Sequence, residues 1–109
     1  MAGSDLFTGS LDLIILKSLS WGPLHGYAIG QWIRISTKEG LTVKEGALYP
    51  ALHRLEARGF LGEEWGLTDT NREAKFYHLT AAGRKQLASE VARWRGYSRV
   101  MTAALAASR

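Results

Sequence analysis

The last quarter of the chain places the tightest constraint on its fold. After Thr80, a residue suited to cap a helix, Leu87, Val91, Trp94, Ser98, Met101 and Leu105 recur by fours and threes, the spacing of a heptad-like seam on one long helix reaching Ala107. About 28 helical residues at 1.5 Å each make a rod of roughly 40 Å. A small domain cannot cover that length, so part of the stripe calls for another partner, and a second copy of the chain is the simplest one. Leu87, Val91, Trp94, Ser98, Met101 and Leu105 are therefore the expected dimerisation residues.

A chain of 109 residues has room for one core and an appendage, not for two independent cores. The expected division is a domain over residues 1–79 and a dimerisation helix over 80–109. Ahead of the seam, Leu11, Ile14, Ile15 and Leu19 recur near helical spacing, widened by Leu13 and Leu16, and predict a core helix from about Thr8 to Ser20. Trp21-Gly22-Pro23 interrupts it, because proline lacks a donor and disfavours the α region in the residue before it. A second helix is expected over Leu24 to Thr37, with Tyr27, Ala28, Trp32 and Ile35 on one stripe, Ile29 and Ile33 beside it, and Lys38-Glu39-Gly40 closing it.

The third helix, expected over Thr42 to Arg58, has the pattern of a capping box in Thr42 and Glu45. Leu48, Leu52 and Leu55, with Ala47 and Ala51 alongside, form its apolar stripe. Lys44, Tyr49, Pro50, His53, Arg54 and Ala57 occupy the other side, a basic and aromatic face suited to a major groove. Pro50 removes the amide that would bond the Gly46 carbonyl, so a bend is expected near Gly46. Gly59 ends the helix. Phe60 to Leu67 and Ala74 to Leu79 then predict two strands, joined by a flexible polar tip at Thr68 to Glu73. Three helices, a hairpin and a long helix make a mainly α chain with a small β-hairpin: a winged helix-turn-helix plus a C-terminal helix.

Composition narrows the function. Fourteen Lys and Arg against ten Asp and Glu leave a net charge of +4, which suits an anionic polymer. Cysteine is absent, so thiolate chemistry is excluded, and His25, His53 and His78 show no metal-ligand spacing. No metal and no cofactor are expected. Met1 to Asp5 carries no basic stretch leading into an apolar run, and no run has membrane-spanning length, so no membrane partner and a cytoplasmic location are expected. Neither a Ser-His-acid arrangement nor a Gly-rich phosphate loop is evident, and Glu63 and Glu64 are adjacent on a strand and point to opposite faces. An enzyme is not expected.

The residues that fit double-stranded DNA are Lys44, Gly46, Tyr49, Pro50, His53 and Arg54 on the third helix, with Arg72 and Lys75 on the wing. Cations and hydroxyls meet phosphates, and the helix reads base edges. The alternative use of such a fold is a winged-helix module that docks a protein without specific DNA binding.

These segments resemble the PadR family of transcriptional regulators. The resemblance runs from Gly9 onward through the Leu13 to Ile33 segment, Glu45 to Leu61 (EGALYPALHRLEARGFL) and Lys75 to Arg84 (KFYHLTAAGR). Gly46-Ala47-Leu48-Tyr49-Pro50 is close to the family's G-T-L-Y-P signature, with Ala47 in the threonine position, and Pro23-Leu24-His25-Gly26-Tyr27 carries its H-G-Y. Gly26 is expected to let Tyr27 reach the core. The resemblance implies a homodimeric repressor of the short, single C-terminal helix branch, bound to a pseudo-palindromic operator and released by a small aromatic effector. It also implies an effector space at the dimer interface, for which Trp94, Val91, Met101, Leu11 and Ile15 are the expected lining.

Overall fold

A computed structural model describes residues 2–109, with side chains from residue 9 onward. Met1 to Asp5, on which the expectation of no leader rests, have side chains outside the described residues. The elements run α1 (Ala2–Ser18), β1 (Leu24–His25), α2 (Gly26–Ser36), α3 (Glu45–Ala57), β2 (Leu61–Leu67), β3 (Glu73–Leu79) and α4 (Ala81–Ala106). The three strands form one antiparallel sheet in the order β1-β3-β2, with Leu24 opposite Tyr77 and Trp65 opposite Lys75.

One core unites these elements. Leu11, Ile15 and Leu16 of α1 and Leu19 just after it meet Ile29 and Ile33 of α2, Leu48, Ala51, Leu52 and Leu55 of α3, and Leu61, Tyr77 and Leu79 of the sheet. Each fully buried aliphatic side chain contributes about 1.5–3 kcal/mol relative to exposure, which makes this cluster the main source of stability. Leu48, Leu52 and Leu55 sit where their spacing predicts. Ala47 does not: it is exposed, one step off the stripe.

The second helix departs from expectation in two ways. Leu24 and His25 are a strand on β3, so the helix starts only at Gly26. Tyr27 and Ile35 then point outward, 69% and 65% exposed, while Ile29 and Ile33 fill the core. Several rotations of this helix would bury an apolar stripe. Contact between Gly26 and Tyr49 favours one of them: a Cβ on Gly26 would stand 2.6 Å from the Tyr49 hydroxyl, so the two helices approach closely there and a side chain at 26 would displace the Tyr49 ring. Gly26 serves this contact rather than a route for Tyr27 into the core.

The third helix also begins later than its capping pattern suggests. Lys44 is the N-cap and gives no side-chain cap bond; Thr42 lies outside the helix. Leu41 and Val43, two residues apart, both pack against the core, which holds this segment extended and overrides the Thr42–Glu45 pairing. The expected bend at Gly46 becomes a matter of position: Gly46 is the second helical residue and lies in open space, so its carbonyl, deprived of a donor by Pro50, can face water.

Thr80 does cap α4. It accepts from the Gly83 amide at 3.0 Å and donates to the Gly59 carbonyl at 2.7 Å, while its own amide bonds the Phe60 carbonyl at 3.1 Å. Gly83 is buried so closely that a Cβ would collide with the Phe60 carbonyl. This joint sends α4 out across α1 and gives the chain its elongated shape, 60 × 29 × 27 Å.

Candidate nucleic-acid interface

The N-terminal end of α3 stands clear of the body. Lys44, Glu45, Gly46, Ala47, Tyr49, Pro50 and His53 are all exposed, while Leu48, Ala51 and Leu52 hold the helix down from behind. Beside it opens a groove of about 850 Å³ between the start of α2, Tyr49, β3 and the hairpin tip; His25, Tyr27, Gln31, Tyr49, Arg72 and Lys75 are among its walls. Buried Tyr77 also lines it, and burial pushes the Tyr77 phenol up from its ordinary pKa.

The rim of the groove is organised by side chains on α2. Gln31 donates to the Tyr27 hydroxyl at 2.9 Å, and the Arg34 guanidinium donates to the Gln31 carbonyl at 2.7 and 3.2 Å. Tyr27 and His25 stack with ring centres 6.5 Å apart, and His25 leans on Phe76 at 5.2 Å. Tyr27 and Gln31 thus belong to the groove, although apolar periodicity assigned Tyr27 to the core. The two-residue strand β1, too short to show a period, is what turns them outward.

The hairpin tip is ordered by its own bonds instead of being a loose polar loop. Thr68 and Arg72 pair through backbone, the Asn71 amide donates to Thr68, and the Thr68 hydroxyl accepts from the Arg72 amide at 3.2 Å. Asn71 takes the left-handed conformation, φ 63°, which asparagine tolerates. The guanidinium of Arg72 and the ammonium of Lys44 are exposed and make no ion pair among the described residues.

Two other expected cations have partners within the chain. Lys75 Nζ lies 3.1 Å from Glu63 Oε2, which raises the Lys75 pKa. Glu63 also interacts with Glu56 of α3, which raises the Glu56 pKa and, together with Lys75, lowers that of Glu63. Arg54 does not face outward as its spacing suggests: Nη2 donates to Asp12 Oδ1 of α1 at 2.6 Å, and its Nε is buried without a partner.

At the far end, the second half of α4 leaves Trp94, Tyr97, Val100, Met101 and Leu105 exposed, with Trp94 and Tyr97 rings 6.0 Å apart. Ser98 is exposed and Val91 half-buried, whereas Leu87 packs on the chain's own core. Tyr97 and Val100 fall outside a strict seam, yet they share this exposed apolar surface. Leu11 and Ile15 are core residues, so they cannot line an open effector space with Trp94; their burial beneath α2 and α3 is what the pattern of α1 alone could not reveal. Among the described residues there is no metal-holding cluster of His, Asp and Glu and no helix long and apolar enough to cross a membrane.

Helices α2 and α3 joined by a turn, followed by a β2–β3 wing that pairs with β1, define a winged helix-turn-helix protein. Residues 15–89 match the transcriptional regulator PadR-like family. The chain belongs to that family, whose members are transcriptional regulators and not enzymes. It is 37% identical over 81 residues to transcriptional regulator Rv3488 of Mycobacterium tuberculosis, covering 74% of this chain and 72% of that protein. A transcriptional regulator of Clostridium thermocellum superposes with a TM-score of 0.81 at 34% identity, over 91% of this chain and 93% of that one. Bacillus subtilis PadR, solved in complex with operator DNA, superposes with a TM-score of 0.67 at 29% identity over 75% of this chain and 45% of its own.

Proposed function

We propose that the chain is a homodimeric, sequence-specific DNA-binding repressor. The observation that carries this reading is the exposed N-terminal end of α3, capped by Lys44, beside a groove that Tyr49 and Arg72 line. Helix α3 enters a major groove, where Gly46, Tyr49, Pro50 and His53 meet bases and phosphates; Arg72 follows the adjacent backbone, and Lys75 joins it by leaving Glu63. The Bacillus subtilis PadR complex supports DNA as the partner.

Residues 1–79 are the DNA-binding unit in this reading and 80–109 the dimerisation helix. Val91, Trp94, Ser98, Met101 and Leu105, joined by Tyr97 and Val100, pair with the same stripe of a second copy. A two-fold dimer reads a pseudo-palindromic operator with half-sites about 34–36 Å apart. A small aromatic effector stacks at this interface on Trp94, with Val91 and Met101 beside it, and releases the operator.

Fluorescence anisotropy tests the reading, with the protein titrated against its own upstream intergenic duplex and a scrambled duplex at two salt concentrations. Tighter, salt-sensitive binding to the upstream duplex supports it. Equal, weak binding to both favours the protein-docking use of the fold.

A further inference from the structure

We infer that Arg54, although it lies on the DNA-reading helix, is a positioning residue that clasps α3 to α1 through Asp12 and supplies no charge to DNA. The inference rests on the DNA-binding reading above and assigns the part played by one residue of α3.

Three observations converge on it. The Arg54 Nη2 to Asp12 Oδ1 contact is 2.6 Å, the length of a strong charge-assisted hydrogen bond. The Asp12 side chain is only 14% exposed against 39% for Arg54, so a swing of Arg54 toward a phosphate would leave a nearly buried carboxylate without its counter-charge. That is the costly way to break a partly buried pair. The Nε of the guanidinium is also buried, so part of the group is withdrawn from the surface that a phosphate would approach.

The clasp joins elements whose shared core is apolar, Leu11, Ile15 and Leu16 of α1 against Leu48, Leu52 and Leu55 of α3. Asp12 projects from α1, the helix that also packs on α4, and borders a cavity of about 170 Å³ whose far wall includes Gln86, Glu90 and Arg93 of α4. Apolar contacts hold α3 to the core but tolerate sliding and rotation. A short ion pair specifies one rotation, and the rotation of α3 decides whether Tyr49 and His53 face the duplex together.

Counterion release separates a positioning role from a contact. A residue that neutralises a phosphate adds about 0.9 to the slope of log affinity against log salt. The test measures that slope by anisotropy on the upstream duplex for wild type, R54Q, R54K, D12N, D12N/R54Q and R72Q, with thermal melts of each to confirm folding. R72Q, a change at an exposed cation, is the reference for a lost contact.

The expected result is that R54Q and D12N each weaken binding about tenfold with the wild-type slope. The double variant is no worse than either single one, and R54K, which keeps a cation in reach of Asp12, recovers most of the affinity. A slope reduced in R54Q as much as in R72Q overturns the inference in favour of direct contact. Unchanged affinity in folded R54Q overturns it by removing the positioning role. Should R54Q fail to fold, D12N decides, because removing the Asp12 charge frees Arg54 for a direct phosphate contact but breaks the clasp. Weaker binding at the wild-type slope then supports the clasp, and unchanged or tighter binding opposes it. Should D12N fail to fold, the R54Q slope set against that of R72Q decides. Wild-type protein without salt-sensitive preference for the upstream duplex refutes the DNA-binding reading itself, a different failure.

Discussion

The two halves of α4 are one continuous helix with opposite fates. In the first, Gly83 is buried under the Phe60 carbonyl and Leu87 packs on the core, so the helix is anchored by its own chain. In the second, Trp94, Tyr97, Val100, Met101 and Leu105 stay open, Leu105 at 82% exposure. An apolar stripe of that extent is expensive to leave in water. The difference teaches that stability is concentrated where α1, α3 and the sheet converge, and that in the dimer proposed above the outer half of α4 gains its free energy from the second copy.

The largest effect that would break this contrast is in the core. Leu52→Ala removes a fully buried side chain of α3 and is expected to cost about 2–5 kcal/mol, measured by urea unfolding; a cost below 1 kcal/mol would mean the core is not where stability resides. Next comes the outer half. Trp94→Ser forfeits about 1.5–3 kcal/mol of interface burial, so sedimentation equilibrium should show the dimer weakened at least tenfold. Its helical circular dichroism should persist, and the melting temperature should lose its dependence on protein concentration. Unfolding of that variant at all concentrations would show instead that the outer half of α4 stabilises its own chain.

Thr80→Ala sharpens the comparison at the joint. It removes the cap on Gly83 and the bond to Gly59, with an expected loss of about 1 kcal/mol in urea unfolding. The smallest effect tests the link between α3 and the wing. A group whose folded pKa is raised, Glu56, contributes stability that is present below its unfolded value near 4.5 and lost as pH rises through the folded value. Glu63, lowered, contributes stability that is lost as pH falls through its folded value. The link is therefore tightest in the window between the lowered Glu63 value and the raised Glu56 value, and at neutral pH the two carboxylates face each other charged. Glu56→Gln supplies a permanent donor, so its melting temperature should exceed wild type slightly at pH 7 and converge with it as the pH approaches 4.5. A gap between the two that does not depend on pH would remove Glu56 from the link.

Much of this architecture was legible from spacing. The Leu48-Leu52-Leu55 stripe, the hairpin and the Thr80 cap each follow from local rules: a helix presents every third or fourth residue to one side, a strand alternates, and a hydroxyl reaches an amide three residues on. What local rules could not resolve was competition among equivalent solutions. Tyr27 and Ile29 are both apolar and both periodic; only the Gly26–Tyr49 contact and the β1 pairing choose which is buried. Thr42 could cap, but Leu41 and Val43 found the core first.

The candidate site divides along the same line. Sequence alone determined that exposed groups such as Lys44, Tyr49, His53 and Arg72 accompany a helix-turn-helix and a wing, because residue chemistry and periodicity are properties of short segments. Tertiary structure alone decided which charges are free. Arg54 and Lys75 have partners 42 and 12 positions away in Asp12 and Glu63, and Leu11 and Ile15 lie under helices that follow them in the chain. An ion pair falls off steeply with distance, so its existence depends on how the chain folds back on itself.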